Sequence, residues 1–179
     1  KVEAFFKIEL PTCLDDVPFE WRVNGDDPER HSWDVSLWCD LNVHINHEGK
    51  GSVVGANDVD EARHAMSTIG DRLTEANPDE TPFVAEELRM VVTYVGKLPA
   101  WVVKAYEGAI DNPYSNVDKY NTRWVKKSRM NGCSVCVGLL NKCKINLEPN
   151  GRFHLFTLDQ PETVVKTLLD SVIKQSRII

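Results

Sequence analysis

Apolar and polar residues alternate along the first part of the chain, as they do in strands that bury one face. The run from Val2 to Leu10 predicts an opening strand, which Pro11 closes. From residue 33 to residue 45 the alternation is strict over thirteen residues, which predicts one long strand containing a bulge or a bend. The sequence HEGKG at 47–51 then predicts a turn into a short return strand, and so an antiparallel hairpin.

Other segments have the three-to-four-residue spacing or the end signals of helices. Helices are predicted over about 58–76, from 81 to about 95, over 99–111 and over 160–175. The first begins with a capping arrangement, Asp58 followed by Glu61. The β-branched stretch 89–95 (RMVVTYV) is also compatible with a strand, but we favour the helix because Pro82 suits the first position of one.

Three short strand-like runs, CSVCVGL, CKINL and RFHLFTL, precede the last helix and predict a second meander. Hairpins and meanders do not give the alternating strand and helix order of a parallel sheet. We therefore predict an α+β fold, with a mainly antiparallel sheet from N-terminal and C-terminal hairpins and about four helices packed on it. No repeat or linker is visible in the sequence, and 179 residues suit one domain, so we predict a single α+β domain over 1–179.

Charge is distributed unevenly along the chain. The net charge is −6, but residues 1–118 hold 10 Lys and Arg against 23 Asp and Glu, a net −13, and residues 119–179 hold 11 against 4, a net +7. Such asymmetry is typical of an interaction surface, although the two halves can also interleave and neutralise each other. No apolar stretch approaches the roughly 20 residues that span a bilayer, so we expect a soluble protein without membrane contact.

The most distinctive segment is 119–129 (KYNTRWVKKSR), in which cations and aromatics are interleaved. These candidate partner-binding residues are Lys119, Tyr120, Arg123, Trp124, Lys126, Lys127 and Arg129. Cations pair with phosphates and aromatics stack on unpaired bases, so the composition suits single-stranded nucleic acid. The alternatives are an acidic protein partner, docking on the acidic half of the same chain, or a solvated strip whose aromatics point into the core. Trp38, on the polar side of the predicted long strand, is a second candidate contact.

Cysteine and histidine residues offer only weak metal candidates. Cys133 and Cys136, with Cys143 and His154 downstream, have the residue types of a zinc site, but in a predicted hairpin His154 lies too far from Cys143, so we interpret them as free thiols. The triplet His44, His47 and Glu48 is equally typical of a solvated turn. We predict no metal and no cofactor. Five cysteines are too few for a disulfide framework, which favours the cytoplasm or another reducing intracellular compartment.

No motif identifies a catalytic site. We therefore interpret the chain as a non-catalytic binding protein that engages a macromolecule, either nucleic acid or protein, through its charge-segregated surface. One alternative is an acidic inhibitor or immunity-type protein that occupies a basic protein surface. Another is a small metal-dependent hydrolase or nuclease that uses the triplet at 44–48, or Asp79 and Glu87.

Overall fold

The computed structural model describes residues 1–23, 31–110, 122–158 and 162–179. The chain divides into two compact units, Lys1–Val91 (unit 1) and Val92–Ile179 (unit 2), and it passes from one to the other within a strand, β6 (Glu86–Lys97). The prediction of a single domain concerns how these units fold together and stays a prediction.

Unit 1 consists of an antiparallel sheet and one long helix. Its elements before β6 are β1 (Val2–Lys7), a short 3-10 helix (Leu14–Asp16), β2 (Trp21–Val23), β3 (His31–Ser36), β4 (Asn42–Asn46), β5 (Lys50–Ala56) and α1 (Val59–Ala76). The first five strands lie in the order β2-β3-β4-β5-β1. The predicted hairpin at 47–51 is confirmed as the connection between β4 and β5.

Helix α1 covers one face of this sheet and packs against β1 and β5. The predicted cap is present, since the carboxylate of Asp58 accepts the backbone N–H of Glu61 at 2.8 Å, and the Glu61 carboxylate accepts the N–H of Asn57 at 2.6 Å. The buried stripe of α1 is Ala62, Ala65, Met66, Ile69, Gly70 and Leu73. The sequence therefore fixes both the start of this helix and the face that it buries.

Unit 2 consists of antiparallel strands and two helices, with a hydrophobic core between them. Its elements after β6 are α2 (Ala100–Ile110), β7 (Thr122–Lys127), β8 (Val135–Leu139), β9 (Lys144–Leu147), β10 (Arg152–Thr157) and α3 (Glu162–Ser176). The strand order is β6-β10-β9-β8-β7. The helices are joined by the hydroxyl of Tyr106, which donates to the Val172 carbonyl at 2.9 Å, and the core beneath them includes Val137, Ile145 and Leu155.

The two units share one order of elements. Each has a strand, a helical segment, four strands in a meander and a closing helix, and in each the first strand lies beside the last strand of the meander. The 3-10 helix of unit 1 takes the place that α2 has in unit 2. This repetition is one of topology, and it is not visible in the sequence.

None of the helices in the described part of the chain is long and apolar enough to cross a bilayer.

The prediction of one long strand over 33–45 is wrong. β3 and β4 are separate antiparallel strands, with Asp34 opposite His44, and the turn between them holds Cys39 and Asp40 at φ of 51° and 61°. The alternation continues through the turn because the returning strand buries residues on the same face of the sheet as the outgoing one. Period alone therefore does not separate a long strand from this hairpin.

The predicted helix over 81–95 is also wrong, because residues 86–97 form β6. Within unit 2, residues 92–97 of this strand pair with β10, with Leu155 opposite Tyr94. The β-branched composition of this segment was compatible with a strand, and its pairing with β10 determines that it forms one. The α+β class and the mainly antiparallel pairing are confirmed, and the described residues form three α-helices where about four were predicted.

Candidate functional site

The open face of unit 2, opposite its two helices, carries a row of aromatic and basic side chains across four strands. The register places Trp124 of β7 opposite Gly138 of β8, Gly138 opposite Lys144 of β9, and Lys144 opposite Phe156 of β10. These residues alternate with the helix-side core, because successive side chains of a strand point to opposite faces. Four strands therefore bring together groups that lie up to 32 residues apart in sequence.

The indole of Trp124 lies flat on the sheet. A Cβ at Gly138 would overlap the indole atoms Cε2 and Nε1, so only glycine leaves room for the ring there. Trp124 is nevertheless 39% exposed, and the ammonium of Lys126 lies over its indole, 4.5 Å from the ring centroid. Trp124 thus lies outside the helix-side core and presents an aromatic surface to solvent.

A second cation and a second aromatic lie beside this pair. The ammonium of Lys144 is 4.9 Å from the centroid of the Phe156 ring. Burial raises the pKa of the Cys136 thiol, and the positive charges of Lys144 and Lys126 oppose that increase. The thiol is therefore neutral at physiological pH and leaves the positive charge of the two lysines uncompensated.

These residues line an open groove of about 590 Å³, which we call the basic-aromatic groove. Its lining residues are Trp124, Lys126, Lys127, Ser128, Arg129, Met130, Cys136, Lys144, Asn146 and Phe156. Four of them are cationic, and none of these described lining residues is acidic. Asn146 is only 6% exposed, and its side-chain carbonyl oxygen has no hydrogen-bond partner among the described residues. The groove wall therefore contains a buried acceptor that none of the described residues satisfies.

The structure brings only part of the predicted 119–129 segment into the groove. Lys119 and Tyr120 lie outside the described residues. Arg123 is exposed on β7 but does not line the groove, whereas the predicted residues Trp124, Lys126, Lys127 and Arg129 do.

Trp38 is placed differently from the prediction. It lies in the turn between β3 and β4 and not on a strand face. Its indole N–H donates to the Glu61 carboxylate at 3.2 Å, and its ring packs against that of His64 with centroids 4.9 Å apart. Trp38 is thus held against α1, half-buried, within unit 1.

His44 and Glu48, two of the three weak metal candidates in unit 1, each pair with another side chain. His44 Nδ1 lies 2.6 Å from Asp34 Oδ1 across β3 and β4. The Glu48 carboxylate pairs with the Lys50 ammonium at 2.6 Å, and this hydrogen bond lowers the pKa of Glu48. His47 lies in the turn at the end of β4.

The carboxylates proposed for a hydrolase do not form a close group either. Glu87 pairs with Arg63 at 3.0 Å, and Asp79 lies in the turn that follows α1. Across the described ranges, one set of three potential metal ligands has its ligand atoms close together, namely Cys133, Glu148 and His154. Of these, Cys133 and His154 belonged to the weak zinc candidate of the sequence, whereas Glu148 did not.

The charge asymmetry of the sequence follows the division into units. Unit 1 holds 8 Lys and Arg against 20 Asp and Glu, a net −12, whereas unit 2 holds 13 against 7, a net +6. The basic-aromatic groove lies in the positive unit. An anionic ligand is therefore attracted to unit 2 and repelled by unit 1.

Three groove residues, Met130, Asn146 and Phe156, were not predicted from the sequence. The available signal was the alternation within KINL and RFHLFT, where Lys144, Asn146 and Phe156 occupy the positions between buried residues. Alternation shows which residues of a strand share a face, but it does not show which strands lie side by side. It therefore does not show that these residues lie near Trp124.

No protein-family model and no curated protein matches the chain. Among solved structures, the chain is similar to TBP from Methanococcus jannaschii, with a TM-score of 0.59, and the match covers 97% of this chain and 95% of that one. The two sequences are 18% identical. At this identity the similarity shows a shared α+β fold, which agrees with the class predicted from the sequence.

Proposed function

We propose that this protein is a non-catalytic binding protein whose basic-aromatic groove binds single-stranded nucleic acid. The observation that carries the proposal is the exposed indole of Trp124, which lies flat on the sheet with cations around it. Stacking of a base on an aromatic ring contributes about 1–3 kcal/mol and tolerates any sequence, since every base has a π face.

The cations that line the groove supply the second requirement, contact with phosphates. The ammonium of Lys126 now lies over the indole, on a flexible four-carbon side chain. A base can take its place on the ring while the ammonium moves to a neighbouring phosphate. Lys144 can leave the Phe156 ring in the same way. The cation–π pairs of the free protein are thereby exchanged for base stacking and phosphate contacts.

The carbonyl oxygen of Asn146 supports a third contact. It is buried in the groove wall without a partner among the described residues, and such an acceptor is costly to leave unsatisfied. When the amide of Asn146 turns toward the groove, an exocyclic amine or ring N–H on the edge of an unpaired base satisfies this oxygen. In a duplex, those donors are already used in base pairs, so this contact favours a single strand.

The fold similarity supports the use of a sheet face. TBP is a DNA-binding protein that inserts apolar wedges into the minor groove of a duplex. A wedge has to project from the surface, whereas Trp124 lies flat and suits stacking. Unit 1 also has a net charge of −12, which repels phosphates. We therefore assign nucleic-acid binding to unit 2 and do not carry duplex binding over to the whole chain.

The test is a titration of a fluorescently labelled single-stranded oligonucleotide, and of its duplex, followed by anisotropy at several salt concentrations. Contacts from three or four cations give a slope of about −2 to −3 in a plot of log K against log salt. We expect the single strand to bind more tightly. Lys126→Glu should weaken binding and flatten the slope, whereas Lys166→Glu, an equal charge change at an exposed position of α3, should change neither strongly.

Two outcomes would overturn the proposal. One is no salt-sensitive binding of either oligonucleotide, and the other is an equal loss of affinity in both lysine variants. Capture of a basic protein in place of nucleic acid, lost when acidic residues of unit 1 are neutralised, would favour the acidic-inhibitor alternative.

A further inference from the structure

Three segments of unit 2 converge at one end of its sheet, each with a potential metal ligand. Cys133 lies in the turn before β8, Glu148 directly after β9, and His154 in β10. The backbone fixes this convergence. Ser134 N donates to Leu147 O at 2.8 Å, which places the preceding Cys133 beside the following Glu148.

A tight hairpin brings His154 to the same point. Glu148 N donates to Arg152 O at 2.8 Å, and Gly151 N donates to Glu148 O at 2.9 Å. His154 lies opposite Asn146 in the pairing of β10 with β9. Cys143, the partner considered for His154 in the sequence, lies at the other end of β9, whereas the carboxylate of Glu148 completes the group.

The ligand atoms of the three residues all lie within 4.8 Å of one another, and His154 Nε2 is 3.3 Å from Glu148 Oε1. Zinc binds sulfur at about 2.3 Å and nitrogen or oxygen at about 2.0–2.2 Å, so tetrahedral ligand atoms lie about 3.3–3.8 Å apart. The group therefore needs only a small contraction to hold an ion. All three residues are half-buried, which limits competition from water.

The charges of the group allow a cation to bind. A divalent ion attracts a thiolate and a carboxylate alike, and it takes the place of Arg152, whose guanidinium Nε lies 3.8 Å from the same Glu148 oxygen. The amide of Asn150 donates to the other oxygen of Glu148 at 3.3 Å and holds the carboxylate in place, as partners of metal ligands do.

We propose that Cys133, Glu148 and His154 bind one Zn²⁺ ion, with the fourth tetrahedral position open to water or to an external ligand. Thiolate, imidazole and carboxylate together are a ligand set that zinc accepts and that Mg²⁺ or Ca²⁺ does not prefer. The buried thiol of Cys136 is not part of the group. This site is argued from its own geometry and does not depend on the nucleic-acid proposal.

The test is titration of the whole, reduced chain with Co²⁺ as a spectroscopic probe, followed by competition with Zn²⁺. We expect one ion per chain and a thiolate-to-cobalt charge-transfer band that Zn²⁺ abolishes. Cys133→Ser should remove the band. His154→Gln and Glu148→Gln should weaken affinity by more than about 100-fold, the upper limit for loss of a mere outer partner. Far-ultraviolet circular dichroism checks that each variant is folded.

Cys136→Ser and His47→Gln are the matched controls and should bind as the unaltered chain does. The proposal is overturned if the unaltered chain gives no charge-transfer band, or if Cys133→Ser keeps it. It is also overturned if Cys136→Ser removes the band to the same degree. Unchanged affinity in folded His154→Gln and Glu148→Gln would show that neither residue is a ligand and would also overturn the proposal.

Discussion

The indole of Trp124 occupies the space that a side chain at Gly138 would fill, so a glycine on β8 keeps an aromatic ring on β7 flat against the sheet. The relationship explains how the open face of the sheet accommodates a large aromatic ring beside Lys126. Without the glycine, the ring has to tilt outward or leave the sheet. The shape of the basic-aromatic groove thus depends on a residue that contributes no side chain to it.

Gly138→Ala should therefore displace the indole. We expect a loss of stability of about 1–3 kcal/mol from overpacking, together with weaker single-strand binding. Gly108→Ala in α2 is the control, since nothing lies within 4 Å of a Cβ there and alanine should stabilise the helix by up to about 1 kcal/mol. Denaturant unfolding and anisotropy measure the two effects. If Gly138→Ala binds as tightly as the unaltered chain, the flat ring is not required.

Trp124→Ala should weaken single-strand binding by the free energy that stacking of one base contributes. This is about 1–3 kcal/mol, or roughly 5- to 150-fold in Kd. Trp101, on α2, is the matched control because it is 44% exposed against 39% for Trp124 and also has a cation, that of Arg177, near its ring. Trp101→Ala should leave the affinity unchanged. Equal losses in the two variants would indicate nonspecific contact and contradict the assigned groove. In the double variant with Gly138→Ala we expect less than additive loss.

Asp58→Ala should destabilise unit 1 by about 1 kcal/mol, because its carboxylate satisfies a backbone N–H at the start of α1. Ser67→Ala, at an exposed position in the same helix, should change stability little. The free energy of unfolding in denaturant gives both values. A loss that is no larger for Asp58→Ala than for Ser67→Ala would show that the cap contributes nothing measurable.

Stability should fall at alkaline pH. Burial raises the pKa of the thiols of Cys136 and Cys143 and that of the Tyr106 hydroxyl above their ordinary values. Thiols in the unfolded chain ionise near about pH 8.5, so above that pH the unfolded state releases protons that the folded state retains. The stabilisation is complete below about pH 8.5 and is lost as the pH rises toward the folded-state pKa values.

The free energy of unfolding in denaturant, compared at about pH 7 and about pH 10 in the presence of a metal chelator, measures this loss. Cys143→Ala should show a smaller difference between the two pH values than the unaltered chain. Cys13→Ala, at an exposed thiol, should show the same difference. Stability that does not fall between the two pH values would contradict the assignment.

Local sequence was sufficient for much of the fold. Helices α1, α2 and α3, the β4–β5 hairpin and strands β8 to β10 follow from apolar spacing, caps and turn residues, because those interactions span only a few positions. The candidate groove was partly predicted in the same way, since Trp124 and Lys126 stand out by composition alone.

Tertiary structure decided the rest. The alternation over 33–45 is the same for one long strand and for a hairpin, and only the pairing of Asp34 with His44 separates them. The β-branched run at 89–95 forms a strand because residues from 92 onward pair with β10. Likewise, cross-strand register brings Phe156 and Asn146 into the groove and joins Cys133 to Glu148 and His154. Each is a contact between residues distant in the chain, and no local period encodes which distant strand will pair.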